Sequence, residues 1–462
     1  MTLSARLDPA YHSVMPGVAW PAIPAPAGMA MLAAQFQFDR SQWWSGEVMR
    51  AAQFRQLRRL IAHAVAEVPH YRDHLARAGL ASIAELSPAT FLDWPLLDKR
   101  EIQADAARFE AASMPPAHGE MREVTTSGST GEPLSAATSD AAIFVQHALI
   151  LRSQLWAGFD MAAKFAAIRI TVLRDLHPDW GPPTNAVFRT GPAVYNHIFA
   201  DHGVQLDWLL RERPAYLLAH NTNLRALLER SRREGRAPEG IRAVVGFGDM
   251  PDPDTRALAK SLWGAEFFDT YSASEVGAIA LECPEHHSLH VQAEHIYLEI
   301  LRADGSHCEP GETGRVVITD LQNFAMPLIR YELRDHATVG APCPCGRGLP
   351  VLERIVGRSA NLAVDPTGRT YFAHLNMAFW TDIAPIHQRQ VVQVAPGALE
   401  VRYVAERDLA QEEIAQLVGA LRKVLRYDYE IEFRRVAEIA LSAGGKFDDF
   451  VSLLPPQARG GV

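Results

Sequence analysis

The sequence predicts an α/β protein: a large N-terminal domain on mixed, largely parallel sheets with flanking helices, then a small α+β domain. Three observations predict it. Between residues 242 and 271, strand-length apolar runs alternate with a helix-period segment, and strand–loop–helix order makes neighbouring strands parallel. After Gly357-Arg358 that rhythm gives way to a turn, a strand, a helix and a strand. The 462 residues also exceed what one compact core normally organises. The division falls between 1–356 and 357–462.

Taken in order, residues 1–45 carry prolines and scattered aromatics without a period, and read as an irregular extension. From Phe54, the apolar Leu57, Leu60, Ile61, Ala64 and Val65 recur at three- and four-residue spacings until Pro69 stops the helix. Asp98 before Lys99-Arg100-Glu101 reads as a helix cap, and 141–159 as a long apolar helix. Residues 242–246 and 266–271 read as buried strands, with a helix over 253–263 between them. Strands at 295–301 and 315–319 follow, joined by a Gly- and acid-rich connection. In the small unit come a turn at 365–368, a strand at 399–404, a helix at 411–425 and a strand at 429–433. Ligands of parallel sheets bind at the strands' carboxyl ends, so the loops there are where motifs count.

Composition excludes several classes. Net charge is −9 and spread along the chain, which argues against a nucleic-acid partner. No apolar run approaches the ~20 residues a bilayer requires, so no membrane span is expected. The N-terminus lacks the ordered parts of a secretory signal, and a cytoplasmic address is the expectation. Four cysteines in so long a chain are not a disulfide framework.

The most informative stretch is Thr125-Thr126-Ser127-Gly128-Ser129-Thr130-Gly131-Glu132-Pro133. Glycines let backbone approach a ligand, and hydroxyls with free N–H groups wrap phosphate oxygens. It lacks the Gly-Lys-Ser/Thr ending of a Walker A loop, and by itself reads equally as a polar linker. Cys283, His290, Cys343 and Cys345 supply three thiolates and an imidazole, a closed tetrahedral set suited to structural Zn²⁺. His286 and His287 compete as ligands, and Cys308 belongs to a hairpin apart from them. The alternative is a group of reduced, unliganded cysteines.

The hydroxyl-rich loop resembles the phosphate loop of the adenylate-forming superfamily of acyl-CoA synthetases. Around it the chain resembles the phenylacetate–CoA ligase branch and its relatives near capsule-biosynthesis proteins. The resemblance is carried upstream by 68–72 (Val-Pro-His-Tyr-Arg) and 94–99 (Trp-Pro-Leu-Leu-Asp-Lys). Downstream it rests on Tyr271-Ser272-Ala273-Ser274-Glu275, 311–315, 325–331 with Asp335, 354–358, and Gly445-Lys446-Phe447. Five ordered motifs between about residues 54 and 450 make coincidence improbable.

The resemblance implies ATP-dependent activation of a carboxylic acid as its acyl-adenylate, then transfer to coenzyme A. Residues Thr126, Ser127, Gly128, Ser129, Thr130 and Gly131 would hold the β- and γ-phosphates. Glu275 would bind Mg²⁺, Tyr271 would lie near the adenine with Ser272 also at the nucleotide, Asp335 would accept from the ribose hydroxyls, and Arg358 would assist nearby. Lys446, on a small mobile domain, would stabilise the α-phosphate transition state. Taken singly, Glu275 reads as a helix-start acid, Asp335 as a surface carboxylate and Lys446 as a tail lysine. Tyr195, His220, Asn221, Phe247, Gly248 and Ala273, with His197, are candidate acid-lining residues. An aryl or small apolar acid is favoured, since Phe247 suits a planar group.

Departures from the pattern weaken the thiol half of the reaction. Glu132 sets an anion beside the phosphate loop, and Gly248-Asp249 stands where relatives have Gly-Glu. Ser359-Ala360-Asn361 stands where relatives carry an acidic pair at the hinge, and 365–369 replaces a Gly-rich segment. A carrier protein, an amine or a hydroxyl are therefore alternative acceptors. A nucleotide-binding scaffold without catalysis is the competing class, and a homodimer is the assembly held open.

Overall fold

The computed structural model describes residues 11–125, 135–170, 172, 176–358, 362–372, 380, 383–425, 427–440 and 449–454. The helix expected from Phe54 starts earlier, spanning Gly46–Glu67, because Ser45 Oγ accepts the Val48 N–H and caps it. Its buried stripe is Met49, Phe54, Leu57, Leu60, Ile61 and Ala64. Each large side chain there contributes about 2 kcal/mol by leaving water. Asp98 caps Lys99–Ala104 in a reciprocal box: its Oδ1 accepts from Arg100 N at 2.7 Å, and Glu101 Oε1 accepts from Asp98 N at 3.2 Å.

Two expectations need correction. Residues 1–45 are not irregular throughout, since Pro26–Ser41 is a helix with Met31 and Phe38 in the core against Leu149 and Leu151. Alanines and methionines around its whole circumference leave no period to read, so tertiary packing holds it. A Cβ on Gly28 would lie 2.1 Å from Ala186 O, so this close approach requires glycine. The helix expected over 253–263 is one α-turn, Thr255–Leu258, continued by a π-turn, Ala259–Trp263.

Among the described residues, twelve strands form one mixed sheet. From one edge they run Ile296–Leu301, Thr313–Asp320, Tyr331–Val339, Val351–Arg358, Leu289–Val291, Gly277–Glu282, Glu266–Ala273, Ala243–Phe247, Tyr216–His220, Phe165–Arg169, Ala193–His197, Leu176–His177. The five strands from Glu266–Ala273 to Ala193–His197 are mutually parallel, as the strand–helix alternation predicts. Beyond Ala273 most connections shorten to turns, and the remaining strands pair antiparallel.

Helices His202–Glu212 and Asn221–Glu234 cover one face of the parallel half, packing Leu206, Trp208, Leu224 and Leu228 on Ile168, Leu217, Val244 and Phe267. Pro26–Ser41 and Asp140–Trp156 cover the other. A separate core lies in the small unit. There Ile386–Ala395, Ala398–Ala405, Glu430–Arg435 and Phe450–Ser452 form a sheet, against which helix Gln411–Leu425 buries Leu417, Leu421 and Leu425. The expected turn at 365–368 is present: Asp365 Oδ1 accepts from Thr367 N and Arg369 N, and Gly368 takes φ +84°. Among the described residues no helix is long and apolar enough to cross a membrane.

Candidate active site and metal centre

The strand Glu266–Ala273 ends in a turn, and the strand Tyr331–Val339 reaches the same place from the antiparallel half of the sheet. There Tyr271 donates its hydroxyl hydrogen to Asp335 Oδ2 at 2.7 Å. Glu275 sits in the turn, not at a helix start, and its Oε1 accepts from Tyr331 OH at 3.3 Å. Burial, with the Glu275 charge beside it, raises the Tyr331 pKa and keeps that hydroxyl a donor. Lys99 Nζ approaches Glu275 Oε1 at 3.8 Å, with only 15% of one side chain and 9% of the other exposed.

The segment carrying Lys99 is clamped to the same strand. Leu97 N donates to Arg330 O at 2.9 Å and Glu332 N to Leu97 O at 3.0 Å, and Arg334 pairs with Asp98 at 2.6 Å. Buried Arg330 donates to the carbonyls of Leu92 and Trp94 and to Glu299, so it braces the segment. Arg358 is the register partner of Asp335, which places its backbone beside that carboxylate. Thr126 to Gly131 lie outside the described residues, but their flanks pair antiparallel from Met121↔Ser139 to Thr125↔Ser135. Asn323 Nδ2 donates to Ala137 O at 2.9 Å, joining that hairpin to the segment that leads into Tyr331–Val339. Lys446 also lies outside the described residues.

The acid-lining candidates fall into two groups. His220 and Phe247 are register partners on parallel strands with ring centroids 4.4 Å apart. A Cβ on Gly248, at φ +88°, would meet His220 Nδ1 at 2.7 Å, so glycine is required there. Asn221 is 1% exposed, and its Nδ2 donates to Asp249 O at 2.6 Å and Asp269 Oδ1 at 3.1 Å. It braces the strand ends from beneath. Tyr195 lies two strands beyond His220 and packs its ring on His177, 5.0 Å between centroids. Ser272 and Ala273 pair with Ala278 and Gly277 across the turn that holds Glu275.

Cys283, His290, Cys343 and Cys345 converge, with all four donor atoms within 4.8 Å of one another. Cys343 Sγ lies 3.9 Å from Cys283 Sγ, and Cys345 Sγ 3.3 Å from His290 Nε2. Tetrahedral zinc, with bonds of about 2.3 Å to sulfur and 2.0 Å to nitrogen, sets its ligand atoms roughly 3.5 Å apart, so these residues fit the ion. Burial lowers the His290 pKa to about 4, leaving the neutral imidazole a metal needs. Burial raises Cys283 to about 11; it opposes the lowering of Cys345, which hydrogen bonds from Arg347 achieve. His287 instead bonds Glu282 at 2.7 Å, and Cys308 stays apart in the 301–313 connection.

Lys99 and Tyr331, the partners of Glu275, were missed as site residues. The 94–99 and 325–331 motifs contain them, but spacing gives no hint that the two segments pair.

No family model matches the chain. The phenylacetate–coenzyme A ligase of Aromatoleum evansii is 26% identical over 69% of this chain and 72% of its own length. That of Thermus thermophilus is 25% identical over 69% and 72%. The crystal structure of 2-hydroxyisobutyryl-CoA ligase in the postadenylation state, in complex with 2-HIB-AMP, superposes with a TM-score of 0.70 at 17% identity, covering 89% and 93% of the two chains. The fold is that of the adenylate-forming ligases. The curated homologues are phenylacetate–coenzyme A ligases, the branch that the motifs indicate.

Proposed function

We propose that this chain is an AMP-forming acid–thiol ligase. It activates a carboxylic acid as acyl-AMP with release of pyrophosphate, then forms the thioester of coenzyme A. The observation that carries this is the convergence of two separate motifs, Tyr271 bonding Asp335 and Glu275 bonding Tyr331, beside the hairpin that bears 126–134. The names of the homologues and the fold support it.

In the first step a carboxylate oxygen attacks the α-phosphorus of ATP and the bond to pyrophosphate breaks. The residues position two anions and stabilise the charge between them. Residues 126–131 cradle the β- and γ-phosphates. Asp335 accepts from the ribose hydroxyls with Tyr271 orienting it, Ser272 lines the adenine, and Arg358 lies beside Asp335. Glu275 holds Mg²⁺; its Oε1 is taken by Tyr331 and its other oxygen makes no hydrogen bond among the described residues. Mg²⁺, when bound, neutralises phosphate oxygens. Lys446 reaches the α-phosphate from the small domain, 357–462, which turns against 1–356 between the two steps. His220, Phe247, Gly248 and Ala273 line the acid, Asn221 braces them, and Tyr195 lies farther out. The four-ligand cluster holds structural zinc. The protein acts in the cytoplasm, free of nucleic acid and membrane, and a homodimer is its proposed assembly.

ATP–pyrophosphate exchange without an acceptor tests the first step. Exchange that depends on one class of acid is expected, and Lys446→Ala should abolish it while ATP still binds. Full exchange by that variant would sink the lysine's role. Silence with every acid, with ATP bound, would favour a scaffold. AMP release that requires free coenzyme A identifies the acceptor; release only with a carrier protein or amine would replace it.

A further inference from the structure

Strand order reverses at Phe165–Arg169. The chain leaves this strand for Ala193–His197 on one side, then crosses through His202–Glu212 to Tyr216–His220 on the other. The first connection packs Trp180, Val187 and Phe188 on one face of the sheet, and the crossover packs Trp208 and Leu209 on the opposite face. Connections that part to opposite faces leave a crevice at the carboxyl end of the strand between them, where ligands of open α/β sheets bind.

Arg169 is the last residue of that strand, and its side chain is exposed. It is the register partner of His197, and strand alternation puts it on the same face as His220 and Phe247. Among the described residues it forms no ion pair and no side-chain hydrogen bond. Two carboxylates that follow parallel strands of the sheet are engaged: Asp249 accepts from Asn221 N and Thr222 N, and Asp201 from Gly203 N. A guanidinium at a ligand crevice with no carboxylate partner among the described residues is suited to recognising one brought by the ligand.

We propose that Arg169 binds a second carboxylate on the acid, so that the substrates are dicarboxylic acids activated at the end remote from Arg169. This rests on the adenylation reading. Three strand spacings, roughly 14 Å, separate Phe165–Arg169 from Glu266–Ala273, where the reacting carboxyl belongs. Even with the reach of an arginine, a short diacid does not span that gap. An aromatic ring or a long methylene chain does, passing over the His220 and Phe247 rings. Phe247 thus keeps its role against an apolar spacer, and the expectation of a wholly apolar acid is narrowed.

The test compares heptanedioate with heptanoate, and 1,4-phenylenediacetate with phenylacetate, in ATP–pyrophosphate exchange. Native protein should prefer the diacid of a pair by tenfold or more in kcat/KM. Arg169→Gln should cut that ratio at least tenfold, and Arg169→Lys should restore part of it; thermal melting verifies that both variants fold. A preference for monoacids, or a ratio unmoved by Arg169→Gln, overturns the proposal. If that variant raises only the KM for coenzyme A, Arg169 serves the thiol's phosphates and the proposal also falls. Should no acid support exchange, the adenylation reading fails separately, and thermal shift decides. Stabilisation by heptanedioate but not heptanoate, lost in Arg169→Gln, sustains the diacid site; its absence overturns it.

Discussion

Tyr271 and Asp335 stand 64 residues apart in the chain and 2.7 Å apart in space. A hydroxyl held on a carboxylate fixes the direction in which the carboxylate's remaining lone pairs point. Tyr271→Phe removes that constraint, about 1 kcal/mol for one hydrogen bond. We expect steady-state kinetics to show the KM for ATP rising about fivefold with kcat nearly unchanged. Asp335→Ala, which removes the ribose acceptor itself, should raise it more. Gly246 makes the opposite kind of prediction, because a Cβ there would lie 1.8 Å from Asn221 Oδ1. Gly246→Ala should destabilise the protein by about 2 kcal/mol, measured by denaturant unfolding. At this scale Tyr271 and Asp335, named from separate motifs, meet in a hydrogen bond, and Glu275 meets Tyr331. They did not reveal Lys99, because the pairing of Leu97 with Tyr331 joins segments more than 230 residues apart.

Among the elements, the Cys-Pro-Cys-Gly knuckle has a reach that its sequence does not show. Arg347 Nε donates to Gln42 Oε1 at 3.0 Å, Gly348 N donates to Gln42 O at 2.8 Å, and the Arg347 guanidinium lies over the Trp43 ring. The Arg152 and Arg347 guanidiniums each lie over the Trp156 ring, 4.7 Å from its centroid, with the His290 ring edge-on at 5.9 Å. The knuckle therefore anchors the end of helix Pro26–Ser41. On the zinc reading, a chelator, or Cys343→Ser with Cys345→Ser, should change tryptophan emission and expose the segment near residue 42 to protease. Unchanged emission and cleavage on metal loss would separate the knuckle from the helix. Ser45→Ala should cost about 1 kcal/mol through the lost cap, seen as a lower melting temperature. The helix at 46–67 was legible from its period. Pro26–Ser41 was not, because its apolar residues surround it and only contact with Leu149 and Leu151 selects a face.

The stability of the whole molecule should carry a pH signature. Burial raises Asp269 from 3.8 to about 7, against the hydrogen bond from Asn221, which lowers it. A carboxyl whose folded pKa is raised stabilises the fold fully below its unfolded pKa, and that contribution is lost as pH rises through the folded value. The contribution of Asp269 should thus fall as pH goes from about 4 to about 7, and the melting-temperature advantage of the native protein over Asp269→Asn should decline across that range. An unaltered slope in the variant would assign the dependence to other groups. One contact between the two units is polar: Arg233 Nη1 lies 2.8 Å from His387 Nδ1. A polar contact of this kind suits a domain that turns rather than one fixed in place.

The sequence alone determined the two-part α/β architecture, the order of the motifs and the four zinc-ligand candidates. These depend on local period, on turn residues and on side-chain chemistry, all of which the chain carries residue by residue. Tertiary structure decided the rest. It set the antiparallel extension of the sheet, the docking of the N-terminal helix on the knuckle, the pairing of Lys99 with Glu275, and the register of Arg169 beside His197. Each of these joins segments far apart in the chain, and such contacts form only where burial and hydrogen bonding in the folded protein outweigh the entropy of closing long loops.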